Sequence, residues 1–359
     1  MSTSLHSPPA VSDAPSPAGP AVALAAVRAA HRRALSLRLT AVAGVVVVLL
    51  AVNVLLGSYT VTIPDFFRIL GGADLPGASF IVLENKLPRA VIGTLIGIAF
   101  GISGAVFQTL LRNPLASPDI IGISYGASAS AVTAIVFFGA AGVAVSVSAL
   151  VGAMVVAGAI YLISRRGGVA GYRLILVGIG FAAVLHAVVS FLITRTDVRT
   201  AAEALIWLTG SLNASNWERA VVLVACLLVL LPSVVILSRS LQGLELGDDA
   251  AAGLGLRVEA SRLGLMTTAV ALAAIATAAA GPVASVAFLS GPIARRLLGG
   301  TPSLTMAALV GAVIVLGADF VAANLIPGSS LPVGVVTGAL GAPFLLWLLA
   351  TTNRSGQGG

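Results

Sequence analysis

Long apolar stretches separated by short polar segments run through most of this 359-residue chain. An uncharged stretch of 18 or more residues is long enough for a helix to cross a bilayer. The short alternating segments typical of a transmembrane β-barrel are not present. The pattern predicts about ten spans, at 39–57, 89–111, 118–138, 142–163, 173–194, 218–237, 262–280, 283–298, 303–322 and 331–350. The eighth is short and interrupted by Gly291-Pro292, so nine spans is the alternative. We expect an all-α, polytopic membrane protein.

The two ends of the chain differ from its apolar body. Residues 1–38 form a lead that is rich in Pro, Ser and Ala and then in Ala and Arg, and this composition predicts a disordered N-terminal segment. The transmembrane domain is expected at 39–350, with a polar loop at 238–262, and a tail follows at 351–359. The first apolar run starts too late for a secretory signal peptide, so we expect an uncleaved span.

Composition and charge support a membrane location. Charged residues make up 9% of the chain, whereas a soluble domain has about 25%. A net charge of +7 suggests nucleic acid only where basic residues cluster on a soluble face. Here they fall at predicted helix ends, so we expect no nucleic acid. With the N-terminus inside, 14 of the 20 basic residues lie on the cytoplasmic side and 6 outside, which follows the positive-inside rule. Both termini are therefore expected in the cytoplasm, and the protein in the plasma (inner) cell membrane.

Residues suited to redox, metal or phosphate chemistry are scarce. Cys226 is the only cysteine, and the three histidines are too scattered in sequence for a metal site. His186 lies in the middle of a predicted span, where a packed histidine is favoured over a proton relay. A phosphate-binding G-x-x-x-x-G-K-[ST] motif is absent, and Lys86 is the only lysine. The sequence predicts no bound cofactor or metal and no enzymatic activity; any ATP would be hydrolysed by a partner chain.

The second predicted span carries the clearest packing signal. Gly93, Gly97 and Gly101 recur at every fourth position, and small residues at this spacing let two helices approach closely in lipid. A polar break follows the span. The residues expected to have a structural role at this break are Gln108, Asn113 and Pro114.

The loop at 238–262 is the only long polar segment predicted on the cytoplasmic side. Asp248 and Asp249 can cap and charge a helix N-terminus, and glycines further on favour the end of that helix. A short helix of mixed charge across the membrane face is a docking surface, and a solvated loop is the alternative.

Charged residues on the opposite side form a second group. Lys86 and Arg89 flank the start of the second span, where two cations can steer the carboxylates of a partner, or can simply hold the helix at the interface. Asp319 is the one acid well inside an apolar run. An acid at the bilayer centre costs roughly 2.5–3.5 kcal/mol on insertion scales. We therefore expect Asp319 to be paired, solvated or near the interface, and a structural role is favoured over translocation.

Three further segments carry recognisable motifs: NPLASPDIIG at 113–122, GPVASVAFLSGPIARRL at 281–297 and LPVGVVTGALGAPFLLWLL at 331–349. They resemble the FecCD permease family, the membrane subunits of ABC importers for ferric siderophores, haem and cobalamin, and the resemblance spans about 57–350. It implies a permease that translocates a ferric siderophore. It also implies these partners: ABC ATPase subunits, a periplasmic or lipid-anchored substrate-binding protein, a second permease copy or a paralogue, and membrane lipid.

The resemblance also implies roles for individual residues. Basic residues of the family pair with carboxylates of the binding protein, and Lys86 and Arg89 match them, whereas a further family arginine is replaced by Ala323. The residues implied in ATPase coupling are Glu245, Gly247, Asp248, Asp249, Ala250, Leu254, Gly255 and Arg257. The candidates for the pathway and its gates are Gly171, Tyr172, Trp207, Gly210 and Asp319.

Other functions stay open. A haem or cobalamin permease is the nearest alternative. A proton-coupled secondary transporter would need interior acid or base relays, for which Asp319 and His186 are the only candidates. An intramembrane enzyme would need a nucleophile–base pair or metal ligands at helical spacing, and none stands out.

Overall fold

The computed structural model of the protein describes residues 20–57, 59–164, 171–324 and 331–355, and their regular structure is entirely helical. The helices are α1 (Pro20–Leu55), α2 (Ile63–Leu70), α3 (Ala78–Phe80), α4 (Leu87–Leu110), α5 (Ile123–Phe138), α6 (Val143–Ser164), α7 (Gly171–Arg195), α8 (Val198–Leu208), α9 (Trp217–Glu245), α10 (Asp248–Gly253), α11 (Val258–Ala280), α12 (Val286–Leu297), α13 (Leu304–Asn324) and α14 (Val333–Ser355). A π-helical segment, Ile81–Lys86, joins α3 to α4.

The helices reproduce the predicted pattern of spans. Within the described ranges, seven helical segments are long and apolar enough to cross a membrane: Arg28–Leu55, Ala78–Leu110, Val143–Ser164, Tyr172–Arg195, Trp217–Glu245, Val258–Ala280 and Leu304–Asn324. Ile123–Phe138 and Val333–Leu348 are shorter apolar segments, and α12 has only 12 residues. A helix therefore stands at each of the ten predicted positions, and the prediction of an all-helical polytopic protein is confirmed.

The ends of the chain correct one prediction. Helix α1 begins at Pro20, so residues 20–38 are helical, and the prediction of disorder is wrong for them. Alanine and arginine have high helix propensity, which favours extension of the first span in the N-terminal direction. The predicted disorder of 1–19 lies outside the described residues. Helix α14 runs to Ser355, so the described part of the predicted tail is also helical.

The second span begins earlier than the sequence predicts. The chain is helical from Ala78, and it widens into the π-helical segment directly before Leu87 and Pro88. A proline has no N–H to donate, and its ring clashes with the carbonyl four residues earlier in an α-helix. A wider turn relieves that clash without ending the helix, so Pro88 lies within a continuous helical run.

The third span begins later than predicted, at Ile123 rather than Pro118. Gly122 has a φ of +88°, a left-handed conformation that interrupts the helix. The position is also crowded, because a Cβ on Gly122 would lie 2.8 Å from the carbonyl oxygen of Gly178. The break therefore lets the start of α5 approach the backbone of α7.

Helix α4 lies at the centre of the bundle, packed against α13, α11, α12 and α9. A Cβ on Gly97 would lie 2.6 Å from the carbonyl oxygen of Gly311, and a Cβ on Gly101 would overlap the carbonyl oxygen of Ala307. The predicted close approach of a second helix to this glycine face is confirmed, and the neighbour is α13. We call the two ends of the bundle the α8 end and the α10 end, after the short helices that lie there.

Candidate translocation and docking sites

An ion pair at the α8 end joins two of the residues singled out in the sequence. Arg89 donates from Nε to Asp319 Oδ2 at 2.9 Å and from Nη2 to Asp319 Oδ1 at 2.8 Å. Its Nη1 donates to Asn213 Oδ1 at 2.8 Å. The side chain of Asp319 is 2% exposed and that of Arg89 is 19% exposed. The network ties α4 to α13 and to the segment between α8 and α9.

This pairing gives Asp319 a structural role, because it joins α13 to α4. The expectation that the acid is paired is confirmed, because both carboxylate oxygens accept from the guanidinium of Arg89. Asp319 also lines a cavity of about 210 Å³ together with Lys86 and Ala323. The position that would carry the further family arginine therefore lies beside Arg89, occupied by a methyl group.

Lys86 is also bound within the chain. Its Nζ donates to the carbonyl oxygen of Leu56 at 2.7 Å and to that of Tyr59. These bonds tie the end of the π-helical segment to the chain that follows α1. Both cations expected to meet a partner thus have intramolecular partners in this structure, and those partners are too distant in sequence for spacing to have indicated them.

The two ends of α8 are held by different means. At its start, Asp197 Oδ1 accepts from the backbone N–H groups of Thr200 and Arg199, each at 3.0 Å. The Thr200 N–H is the main cause that lowers the pKa of Asp197, since it stabilises the ionised carboxylate. At the other end, the N–H of Gly334 donates to the carbonyl oxygen of Gly210 at 3.1 Å.

Glycines make this junction possible. Gly210 has a φ of +66°, and a Cβ on Gly281 would lie 2.5 Å from the carbonyl oxygen of Trp207. The C-terminus of α8 therefore packs on the segment before α12 and on the start of α14. Trp207 and Gly210 lie together at this junction, whereas Gly171 and Tyr172 begin α7 at the opposite end of the bundle, where the Tyr172 side chain is 77% exposed.

A cavity of about 680 Å³ lies next to this junction and opens to one side. It is bounded by α5, α7, α8, α12 and α14, and its walls are mainly apolar. The lining residues are Ser117, Asp119, Ile120, Ser124, Tyr125, Ser128, His186, Val189, Ser190, Ile193, Leu205, Leu208, Pro282, Ala284, Ser285, Phe288, Gly338, Gly341, Ala342 and Leu345. None of the five pathway candidates from the sequence is among them.

The polar groups of this cavity are few. Ser124 donates to the carboxylate of Asp119, and the rings of Tyr125 and His186 meet edge to face with their centroids 5.8 Å apart. The position of His186 in the middle of a span is evident from the sequence, whereas its partner is not. The small and hydroxylated residues that surround Tyr125 in 123–130 are the signal that could have indicated a solvated wall. Among the described residues, no group of three or more His, Cys, Asp or Glu side chains could hold a metal ion.

The short helix at the α10 end begins at Asp248 and ends at Gly253, where the acids and glycines favour a helix, but its first acid has a different role. Gly247 is the N-cap and no side chain caps the helix, so the predicted capping by Asp248 is wrong. The Oδ1 and Oδ2 atoms of Asp248 instead accept hydrogen bonds from Arg262 Nη2, both at 2.9 Å. Arg112 Nη2 lies 3.8 Å from the same carboxylate. Asp248 thereby connects α10 to α11 and to the end of α4.

The outer surface of α10 combines apolar and acidic groups. Leu246 and Leu254 flank the helix and are each 67% exposed, and Asp249 and Ala250 are exposed between them. The other predicted coupling residues lie near this surface. Gly255 has a φ of +80° after α10, Arg257 is the N-cap of α11, and Glu245 is the last residue of α9.

The predicted helix break after α4 is a packing junction. The buried Gln108 donates from Nε2 to the carbonyl oxygen of Phe288 at 3.0 Å, which joins α4 to α12. Gly291 leaves room for the amide, since a Cβ there would overlap Gln108 Oε1. Asn113 Oδ1 accepts from the N–H of Leu115 at 2.9 Å, a local turn around Pro114.

Known proteins resemble the chain over most of its length. The model of the FecCD transport family matches residues 45–351. The chain is 40% identical over 299 residues to the ferric enterobactin transport system permease protein FepG of Escherichia coli (strain K12), covering 83% of this chain and 91% of FepG. It is 36% identical to the Fe(3+)-citrate import system permease protein YfmE of Bacillus subtilis (strain 168), covering 86% and 93%.

A solved structure agrees with these similarities. A metal-chelate type ABC transporter in an inward-facing conformation has a TM-score of 0.76 and 25% identity, with 87% of this chain and 98% of that chain covered. The comparisons confirm two predictions, a multi-pass membrane protein and a transport permease subunit that lacks ATPase activity of its own. The chain belongs to the FecCD transport family.

Proposed function

We propose that this chain is the permease subunit of an ATP-driven importer and that it translocates a ferric siderophore delivered by a substrate-binding protein. The observation that carries the proposal is its similarity, over more than four-fifths of its length, to permeases named for ferric enterobactin and for Fe(3+)-citrate. The ligands named for these relatives differ and iron(III) is common to both, so the proposed substrate class is a ferric chelate.

The residues that line the 680 Å³ cavity are proposed to form one wall of the pathway. The cavity opens to one side and its surface is mainly apolar, so a large chelate would meet few groups that could hold it. The open side of the cavity is the proposed contact with a second permease subunit, identical or paralogous, which would supply the opposite wall.

The α10 end is the proposed docking site for the ATPase subunits and the cytoplasmic end. The exposed Leu246 and Leu254 on either side of α10 offer apolar contact to a partner, and Asp248 transmits force on α10 to α11 and α4 through its ion pairs. Family membership implies ATPase and binding-protein partners. We place both termini in the cytoplasm, and the protein in the plasma (inner) membrane.

The α8 end is the proposed outer face. Lys86 and Arg89 are the proposed contacts for a binding protein, whose carboxylates would compete with Asp319 for Arg89. Trp207 and Gly210 would form part of the outer gate, because the end of α8 is bonded to the start of α14. Gly171 and Tyr172 would lie at the cytoplasmic mouth.

The proposal is tested by uptake in a strain that lacks its own FecCD permeases and expresses this chain with its partner subunits. Radioactive iron is supplied as ferric enterobactin, as Fe(3+)-citrate or as a ferric hydroxamate, and haem and cobalamin are supplied separately. We expect uptake of at least one ferric siderophore and none of haem or cobalamin. Uptake of haem or cobalamin alone would show that this compound, and not a ferric siderophore, is the substrate.

Docking at the α8 end has its own test. Lys86→Glu combined with Arg89→Glu should weaken capture of the binding protein at low salt by at least tenfold, because two attractive charges become repulsive. The matched control is Arg68→Glu combined with Arg199→Glu, two charge reversals at exposed arginines of α2 and α8 at the same end. An equal loss in both variants would assign the effect to net charge rather than to this site.

A further inference from the structure

A second large cavity, of about 570 Å³, opens at the α10 end between α1 and α9. Its floor is formed by α4 and α12, and the segment 299–305 closes one side. The lining residues are Ala34, Leu35, Arg38, Ala105, Thr109, Ser238, Leu241, Gln242, Glu245, Gly291, Arg295, Leu298, Gly299, Thr301, Pro302, Ser303, Leu304 and Thr305. The proposed pathway does not use this cavity, since the two linings share no residue.

Two arginines face this cavity from opposite sides. Arg295 is half-buried on the floor, and its Nη2 donates to Thr109 Oγ1 at 3.1 Å. A guanidinium carries five N–H donors, and this is the one hydrogen bond from Arg295 to another described side chain. Arg38 reaches across from α1, with Nη1 3.9 Å from the Cβ position of Gly299. Neither arginine forms an ion pair with a described carboxylate.

The cavity has an excess of positive charge. Glu245 is the one acid in its lining, and it is close enough to Arg295 for their charges to interact. Two cations therefore face one acid. Leu35, Leu241 and Leu298 form an apolar wall beside the charged groups. Two guanidinium groups and an apolar wall therefore line one cavity, a combination that suits a phospholipid, which has an anionic head group and apolar chains.

We propose that this cavity binds the phosphate head group of an anionic phospholipid. Guanidinium groups match phosphate oxygens in geometry and charge, and basic pockets between helices on the cytoplasmic side are suited to anionic head groups. Arg38 belongs to α1 and Arg295 to α12, so one bound phosphate would join the peripheral first helix to the bundle. The inference rests on the proposed cytoplasmic location of the α10 end and not on the identity of the transported substrate.

The experiment uses the full chain purified in neutral detergent, without ATPase subunits, so that no partner protein can fill the cavity. Binding of dioleoyl phosphatidylglycerol is measured by native mass spectrometry, with dioleoyl phosphatidylcholine and inorganic phosphate as separate ligands. We expect tight binding of phosphatidylglycerol alone. Arg38→Gln should weaken it about fivefold, on the order of 1 kcal/mol per basic residue at a membrane surface, and Arg38→Gln with Arg295→Gln by about 25-fold.

Arg239→Gln is the matched control, because Arg239 is an exposed arginine on the same part of α9 but outside the cavity lining. It should leave phosphatidylglycerol binding within twofold of the unmodified chain. Equal losses in Arg239→Gln and Arg38→Gln would overturn the site, as would equal binding of both lipids. Inorganic phosphate that displaces the lipid at millimolar concentration would reassign the cavity to a small anion. Because Arg38 forms no described hydrogen bond or ion pair, its single variant tests the site even if Arg295→Gln unfolds the chain.

Discussion

Asp319→Asn should destabilise the protein more than an ordinary substitution at a helix end. The asparagine keeps one acceptor for the Arg89 guanidinium but loses the negative charge and one of the two hydrogen bonds. Removing one partner of a fully buried pair costs about 3–5 kcal/mol. Because Arg89 is 19% exposed, water screens part of this loss, and we expect about 2–4 kcal/mol. The apparent melting midpoint should fall by roughly 3–5 °C.

A double-mutant cycle isolates the pair from other effects of the substitution. Arg89→Gln, Asp319→Asn and the double variant are purified in detergent, and their unfolding is followed by intrinsic fluorescence. The double variant leaves no unpaired charge, so it should be more stable than the sum of the single losses predicts, by about 2 kcal/mol. Losses that add within about 0.5 kcal/mol would show that the ion pair does not stabilise the α4–α13 junction.

Three further predictions follow from packing and charge. Gly101→Ala should cost at least about 2 kcal/mol of stability because its Cβ overlaps α13, whereas Gly180→Ala, with open space around it, should be neutral by the same unfolding assay. Gly334→Ala should separate the start of α14 from the end of α8 and reduce initial uptake more than tenfold at unchanged expression. Asp248→Lys with Asp249→Lys should abolish stimulation of the partner ATPase by loaded binding protein while leaving membrane insertion intact; normal stimulation would remove the docking role of α10.

The sequence predicts the helices well because lipid imposes a strong pattern. Spans must be apolar and about 20 residues long, so their positions can be predicted without knowledge of how the helices pack. The second and third spans start at residues other than those predicted, for local reasons that the composition does not reveal. A π-helical turn accommodates Pro88, so the span starts before this residue. Gly122 adopts a left-handed conformation, so α5 starts after it.

The sites are harder to predict from the sequence, because they depend on which helices become neighbours. Arg89 and Asp319 are 230 residues apart. The sequence predicts a cation at a helix start and an acid that is paired, solvated or near the interface, but it does not indicate that the two residues pair with each other. The contact between Tyr125 and His186 is hard to predict for the same reason, since the small and hydroxylated residues around Tyr125 do not indicate which helix faces them. By contrast, the glycine face of α4 was predicted correctly, because small residues at every fourth position have a meaning that does not depend on the identity of the partner helix.

We propose that the chain provides a passage without its own energy source and is driven at the α10 end. The most direct test is uptake of a radiolabelled ferric siderophore into proteoliposomes that contain this chain, any paralogous permease subunit, the ATPase subunits and the binding protein. We predict uptake with ATP on the α10 side, no uptake when the ATPase subunits are omitted, and no uptake from a proton gradient alone. Transport that continues without the ATPase subunits would contradict the account.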